Sequence, residues 1–225
     1  MRRATVAILR AVTFAPRAPH LTTGLPERQS SIFPTVSKMD LKPTRRIVTG
    51  HDAEGRAVAL FDASVAPKQK SAGGNAITML WVTAETPADL TVSTDRADIP
   101  VGVPPPTNGS IFRIVEFPPV SASLGSITHV DHNKILAAMG IDPTTQGYLR
   151  HANTHRTRSV DYAIVLDGEI DMLMDDSEVH MAAGDVLVQQ GTNHAWVNNS
   201  GKPCRIAFIL VDAITPPAWK QAWTK

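Results

Sequence analysis

The chain has 225 residues, 43% of them hydrophobic and 19% charged, with 22 Lys and Arg against 21 Asp and Glu. That length supports one domain with a sizeable core, and that balance excludes a disordered chain. A net charge of +1 leaves no electrostatic footprint for nucleic acid or an anionic membrane, and no apolar run approaches the roughly 20 residues of a membrane helix. The single cysteine, Cys204, excludes an internal disulfide and fits a reducing, cytoplasmic compartment. Seventeen prolines and fourteen glycines suit an all-β chain with many turns.

Residues 1–40 show no sustained periodicity and read as an unstructured N-terminal extension, of which the first 38 residues, up to Met39, are expected to be dispensable for folding. The segment from Met1 to Pro26 has no acidic residue but carries Arg2, Arg3, Arg10 and Arg17, which is also the character of a mitochondrial transit peptide. Residues 41–225 read as a single domain. Arg45 to Val48 and Arg56 to Phe61 read as a hairpin closed by the turn cluster His51-Asp52-Ala53-Glu54-Gly55. Lys68 to Asn75 is a polar loop, and Ile77 to Val82 a strand. Asp98 to Gly109 contains Pro100 and the run Pro104-Pro105-Pro106, so it crosses the surface without regular structure. Ile111 to Phe117 is a strand stopped by Pro118-Pro119.

One short helix interrupts the β pattern. Asp131 is its expected N-cap, Ile135, Leu136 and Met139 fall at helical spacing, and Gly140 stops it. The apolar run Tyr162 to Leu166 ends at Asp167-Gly168, a two-residue hairpin signal. Glu169 to Met174 alternates, Asp175-Asp176-Ser177 turns, and Ala183-Gly184-Asp185 turns into Val186 to Gln189. His194 to Val197 and Arg205 to Val211 are the last strands. Short strands with turn signals at this spacing predict a sandwich or barrel.

Two segments carry chemistry. The first runs from His155 through Thr157 to Asp161, with Gly168 seven residues beyond the carboxylate. The second has Gly184, Gly191, His194 and Asn198. Together they resemble the two motifs of the cupin superfamily, over about residues 147–211. The resemblance implies an all-β jelly-roll barrel, here with an N-terminal arm and one inserted helix. It carries His155, Asp161 and His194 onto the family's metal-ligand positions. Thr157 stands where a second histidine is usual, and Asp161 where a Glu is usual. Two histidines and a carboxylate suit a divalent metal, Fe(II) first, with Zn, Mn or Ni also acceptable. On one straight strand His155 and Asp161 would stand about 20 Å apart, so the chain must turn between them.

Thr157, Trp196, Tyr162 and Arg158 are the candidate pocket residues. Tyr162 and Trp196 read first as packing. Arg156 and Arg158 have the chemistry to steer a carboxylate or enolate, but a solvated turn is the stronger reading for both. His129, His132 and His151 read as surface or rim residues. The chain looks like small cupins of secondary-metabolite pathways, fungal polyketide ones included. That implies a metal-dependent oxidoreductase on a small aromatic or carbonyl metabolite, working as a homodimer, with no nucleic-acid or membrane partner. A redox-neutral lyase, isomerase or cyclase, and a non-catalytic binding barrel, are the alternatives.

Overall fold

The structure is a computed structural model and describes residues 42–220, apart from 68, 71–73, 121–128 and 148. The expected N-terminal extension over 1–40 lies outside the described residues. Two strands, β1 (Thr44–His51) and β2 (Ala57–Val65), form an antiparallel hairpin around the expected turn. Asp52 builds that turn by accepting from the backbone N–H groups of Glu54 and Arg56.

The barrel consists of two sheets. The larger has six strands in the order β3 (Gln69–Lys70), β4 (Ala76–Thr83), β5 (Ser110–Phe117), β11 (Cys204–Asp212), β6 (Ser159–Asp167) and β9 (Val186–Gln190). The smaller has three, in the order β10 (His194–Val197), β7 (Glu169–Met174) and β8 (Glu178–Ala182). Their inner faces share one core. Val82, Ile111, Val165 and Ile206 from the large sheet pack with Ile170, Met172 and Met181 from the small one. β4 shows why: AITMLWVT alternates buried and half-buried residues along its length, the period of a strand with one face on a core.

Most expected strands form within a few residues of their expected bounds. The Asp167-Gly168 pair does turn the chain, with Gly168 at φ +78, but it closes no hairpin. β6 pairs with β11 and β9, and β7 pairs with β10 and β8, so this turn passes the chain from one sheet to the other. Gly168 meets strand β11 at that corner: a Cβ there would lie 2.7 Å from the Pro203 carbonyl oxygen. The hairpin in this region is β7–β8, closed by Asp175-Asp176-Ser177 with Met174 N donating to Ser177 O at 2.8 Å. The polar loop 68–75 contains the short strand β3.

The helix α1 (His129–Ala138) begins two residues before the expected cap, so Asp131 falls in its first turn. Gly140 ends it at φ +73, with Ile141 N donating to Leu136 O at 2.9 Å. Val103 N donates to Met139 O, which ties the irregular crossing after Ile99 to the helix end. No helix among the described residues is long and apolar enough to cross a membrane.

Candidate functional site

The barrel encloses a cavity of about 460 Å³. Its wall includes Phe117, Trp196 and Phe208, and α1 and the crossing segment supply Ile135, Met139, Val101 and Gly102. His155, Thr157, Asp161, His194 and Arg113 also line it. Both sequence motifs therefore face one space.

The histidines meet because their backbones pair. His155 and His194 form an isolated antiparallel bridge, each N–H donating to the other's carbonyl at 2.9 Å. Directly opposed residues of such a pair project to the same face. The two rings stand 4.5 Å apart, centroid to centroid, and both residues are buried. His155 Nδ1 lies 2.7 Å from Asn153 O, and His194 Nδ1 lies 3.0 Å from Thr192 O. A carbonyl oxygen only accepts, so each Nδ1 carries its proton and each Nε2 keeps its lone pair. Gln189 Nε2 also stands 3.2 Å from His194 Nδ1, but with that nitrogen protonated its hydrogen goes instead to Asp161 Oδ2, at 3.2 Å. Burial pushes His155 down to about 4, and burial together with the neighbouring His155 pushes His194 down to about 3. Both rings are neutral at physiological pH.

Asp161 is the third residue of β6, which opens at Ser159. A bend at Arg158 separates it from His155, as the distance argument requires. Thr157, Ser159 and Asp161 share the inward face and are linked in series: Thr157 Oγ1 and Ser159 Oγ are 2.8 Å apart, and Ser159 Oγ donates to Asp161 Oδ1. Burial raises the Asp161 carboxyl to about 6, against the lowering pull of Ser159 and Arg113. Gln189, directly across the β6–β9 register, holds its other oxygen.

The donor chemistry fits a divalent metal at the imidazole pair, since a ligating histidine uses one nitrogen while the other donates to a carbonyl. The carboxylate is less ready. Both Asp161 oxygens are engaged, and among the described residues no three His, Cys, Asp or Glu side chains are grouped to hold an ion.

The other candidates divide. Trp196 and Thr157 line the cavity as expected, while Tyr162 faces outward and is 42% exposed. Arg158 is solvent-facing and pairs with Asp212. Arg156 is no solvated turn residue. It is buried, its Nε donates to Thr145 O at 2.6 Å, and its guanidinium stacks 4.2 Å from the Trp219 ring centroid. His132 is buried as well, with Nδ1 2.9 Å from Ala152 O, because α1 packs against the 151–154 turn. His151 is half-buried, and the side chain of His129 lies outside what is described. Burial pushes the Cys204 thiol up to about 12, which leaves it inert as a nucleophile. Asn198 is structural: its Nδ2 donates to Phe117 O and Lys202 O. Sequence reasoning missed Gln189, Ser159 and Arg113.

The family model for the Cupin domain matches residues 141–211, the stretch that carries both histidines and Asp161. The Phomopsin biosynthesis cluster protein C' of Diaporthe leptostromiformis is 32% identical over 185 residues, covering 77% of this chain and 81% of that protein. The cupin-domain-containing oxidoreductase virC of Hypocrea virens is 28% identical over 180 residues, covering 76% and 77%. Among solved structures, the Cupin 2 conserved barrel domain protein from Salinispora arenicola CNS-205 covers 46% of this chain and 64% of its own, at 16% identity and a TM-score of 0.28. The two-sheet barrel, the paired histidines and the matched sequence agree: the chain belongs to the cupin family.

Proposed function

We propose that the protein is a metal-dependent oxidoreductase acting on a small aromatic or carbonyl metabolite, in secondary-metabolite biosynthesis. The observation that carries this reading is the imidazole pair. Two buried neutral rings face one cavity, each with Nδ1 committed to a backbone carbonyl. His155, His194 and Asp161 would hold the ion, Fe(II) first and Zn, Mn or Ni otherwise. A divalent ion there supplies Lewis acidity and, for iron, redox chemistry with oxygen. The chain's own residues do the rest. Asn153 and Thr192 fix the tautomers, Ser159 and Gln189 hold Asp161, and Trp196, Phe117 and Phe208 offer an aromatic, apolar wall to a conjugated substrate. Relatives named for a biosynthesis cluster and as cupin-domain-containing oxidoreductases support the same reading.

One observation favours a second reading. Asp161 titrates near 6 beside neutral histidines, a pairing suited to general acid–base work in a redox-neutral lyase, isomerase or cyclase. An oxygen electrode separates the two. Metal-loaded protein offered candidate aromatic aldehydes and ketones consumes oxygen in step with substrate loss if the first reading holds. Equal turnover without oxygen selects the second, and binding without turnover leaves a ligand-holding barrel.

A further inference from the structure

One charge in the cavity has no assigned task. β5 reads SIFRIVEF, and its inward positions are Ile111, Arg113, Val115 and Phe117. Three are core residues. The fourth is an arginine, opposite Phe208 on β11 and Met79 on β4, only 7% exposed and open to the cavity. An arginine among apolar neighbours is costly unless its donors are satisfied. Those of Arg113 are not. Among the described residues its one hydrogen bond is a long one, Nη1 to Gly102 O at 3.4 Å, and its buried Nε has no partner. Asp161 acts on it through space without a direct ion pair. Other shielded arginines here are spent on structure. Arg46 binds Asp95 and Leu80 O, Arg96 grips Glu85, and Arg156 binds Thr145 O and stacks on Trp219.

Guanidinium is planar, stays charged at neutral pH and offers paired N–H groups that match a carboxylate or enolate edge. Burial lowers Arg113 only to about 10, so it remains a cation. The aromatic wall of Trp196 and Phe208 borders the same space.

We propose that Arg113 is the receptor for an anionic substrate: a small, flat organic acid, carboxylate or enolate, seats its ionised oxygens on this guanidinium and its conjugated body against Trp196 and Phe208. The inference rests on the reading that the cavity takes a small organic substrate, and it gives that substrate its charge.

The test uses three probes near pH 7: benzoate, ionised cyclohexane-1,3-dione and neutral benzamide. Affinities are measured by calorimetry and by the shift of the Arg113 Nε–H resonance. Chelator is present throughout, so the outcome is independent of whether a metal binds. Wild type binds at least one anion about tenfold or more tighter than benzamide, and that anion moves the Nε–H signal. The tighter of the two assigns carboxylate or enolate. Arg113→Met, which swaps a buried charge for an apolar chain, loses the preference while keeping its benzamide affinity. Arg113→Lys retains charge without the fork and keeps part of the preference. Melting curves verify that each variant is folded, and should Arg113→Met not fold, the lysine variant and the wild-type resonance decide. The proposal is overturned if neither anion binds at millimolar concentration, if wild type does not prefer an anion to benzamide, or if folded Arg113→Met keeps that preference.

Discussion

At His155 and His194, burial rather than any charged partner sets the protonation state, and that makes the metal-free barrel acid-sensitive. Both rings take up protons only near pH 4 and 3 when folded, against 6.5 for an unperturbed histidine. Between those values the unfolded chain binds more protons, so the contribution of this pair is present above about pH 6.5 and is lost as pH falls through the folded values. Asp161 opposes it: its folded value near 6 exceeds the ordinary 3.8, so its contribution is present below 3.8 and is lost as pH rises through 6. With chelator present, melting temperature should fall from pH 6.5 towards 4, and His194→Asn should flatten that slope. An unchanged slope would show that His194 is not buried neutral. The carboxylate carries a second expectation. Asp161 supplies the only formal negative charge among the three ligand positions, so Asp161→Asn should weaken metal binding by a large factor. The metal-free barrel should tolerate the same change, because a buried carboxylate is itself unfavourable there. Wild type should melt lower with chelator than without, and the variant nearly alike in both. If chelator leaves wild type unmoved and the variant melts alike in both conditions, Asp161 is not a ligand.

Among the elements, the turns show most clearly how sequence becomes site. Gly168 and Gly184 both hold positive φ, at +78 and +97, but only at Gly168 would a Cβ strike backbone, whereas at Gly184 it meets nothing within 4 Å. Gly168→Ala should therefore cost about 1–3 kcal/mol and more than Gly184→Ala, which bears backbone strain alone. Denaturant melts of the two variants read this order, and the reverse order would mean that the sheet-to-sheet corner is soft. The hairpin expected at Asp167-Gly168 illustrates what local signals leave open: the dipeptide fixes the turn, while the pairing of β6 with β11 and β9 is set by strands far along the chain. The histidines were legible because glycine spacing and motif residues mark both segments. Strand β8 was overlooked although EVHMA alternates polar and apolar residues, and the fold buries only Met181 of them. Gln189, Ser159 and Arg113 were hidden for a related reason. In β5 both faces are rich in apolar residues, so parity does not reveal that Arg113 points inward. In β9 the pattern is inverted, with Val186 and Val188 exposed and Gln189 buried.

That inversion matters for the whole molecule. Phe112, Tyr162, Val188 and Val211 are exposed on the outer face of adjacent strands of the large sheet, and Val186 and Leu166 extend the row. Scattered apolar residues are ordinary on a surface, whereas a contiguous row across four strands is the kind of surface on which proteins associate. A second copy of the chain is the occupant expected from the cupin resemblance. Light scattering at micromolar concentration should give a dimer, and Val188→Lys should shift it to monomer with the fold intact. A wild-type monomer would leave the patch without this explanation. The metal-dependent reading rests on the cavity holding an ion at His155, His194 and Asp161. The direct measurement is metal content after anaerobic loading with Fe(II) and desalting, with Zn, Mn and Ni in parallel. Wild type should retain close to one equivalent of at least one of these metals per chain, and His194→Ala almost none. Wild type that retains none of the four, or a histidine variant that retains as much as wild type, would overturn the metal-dependent reading.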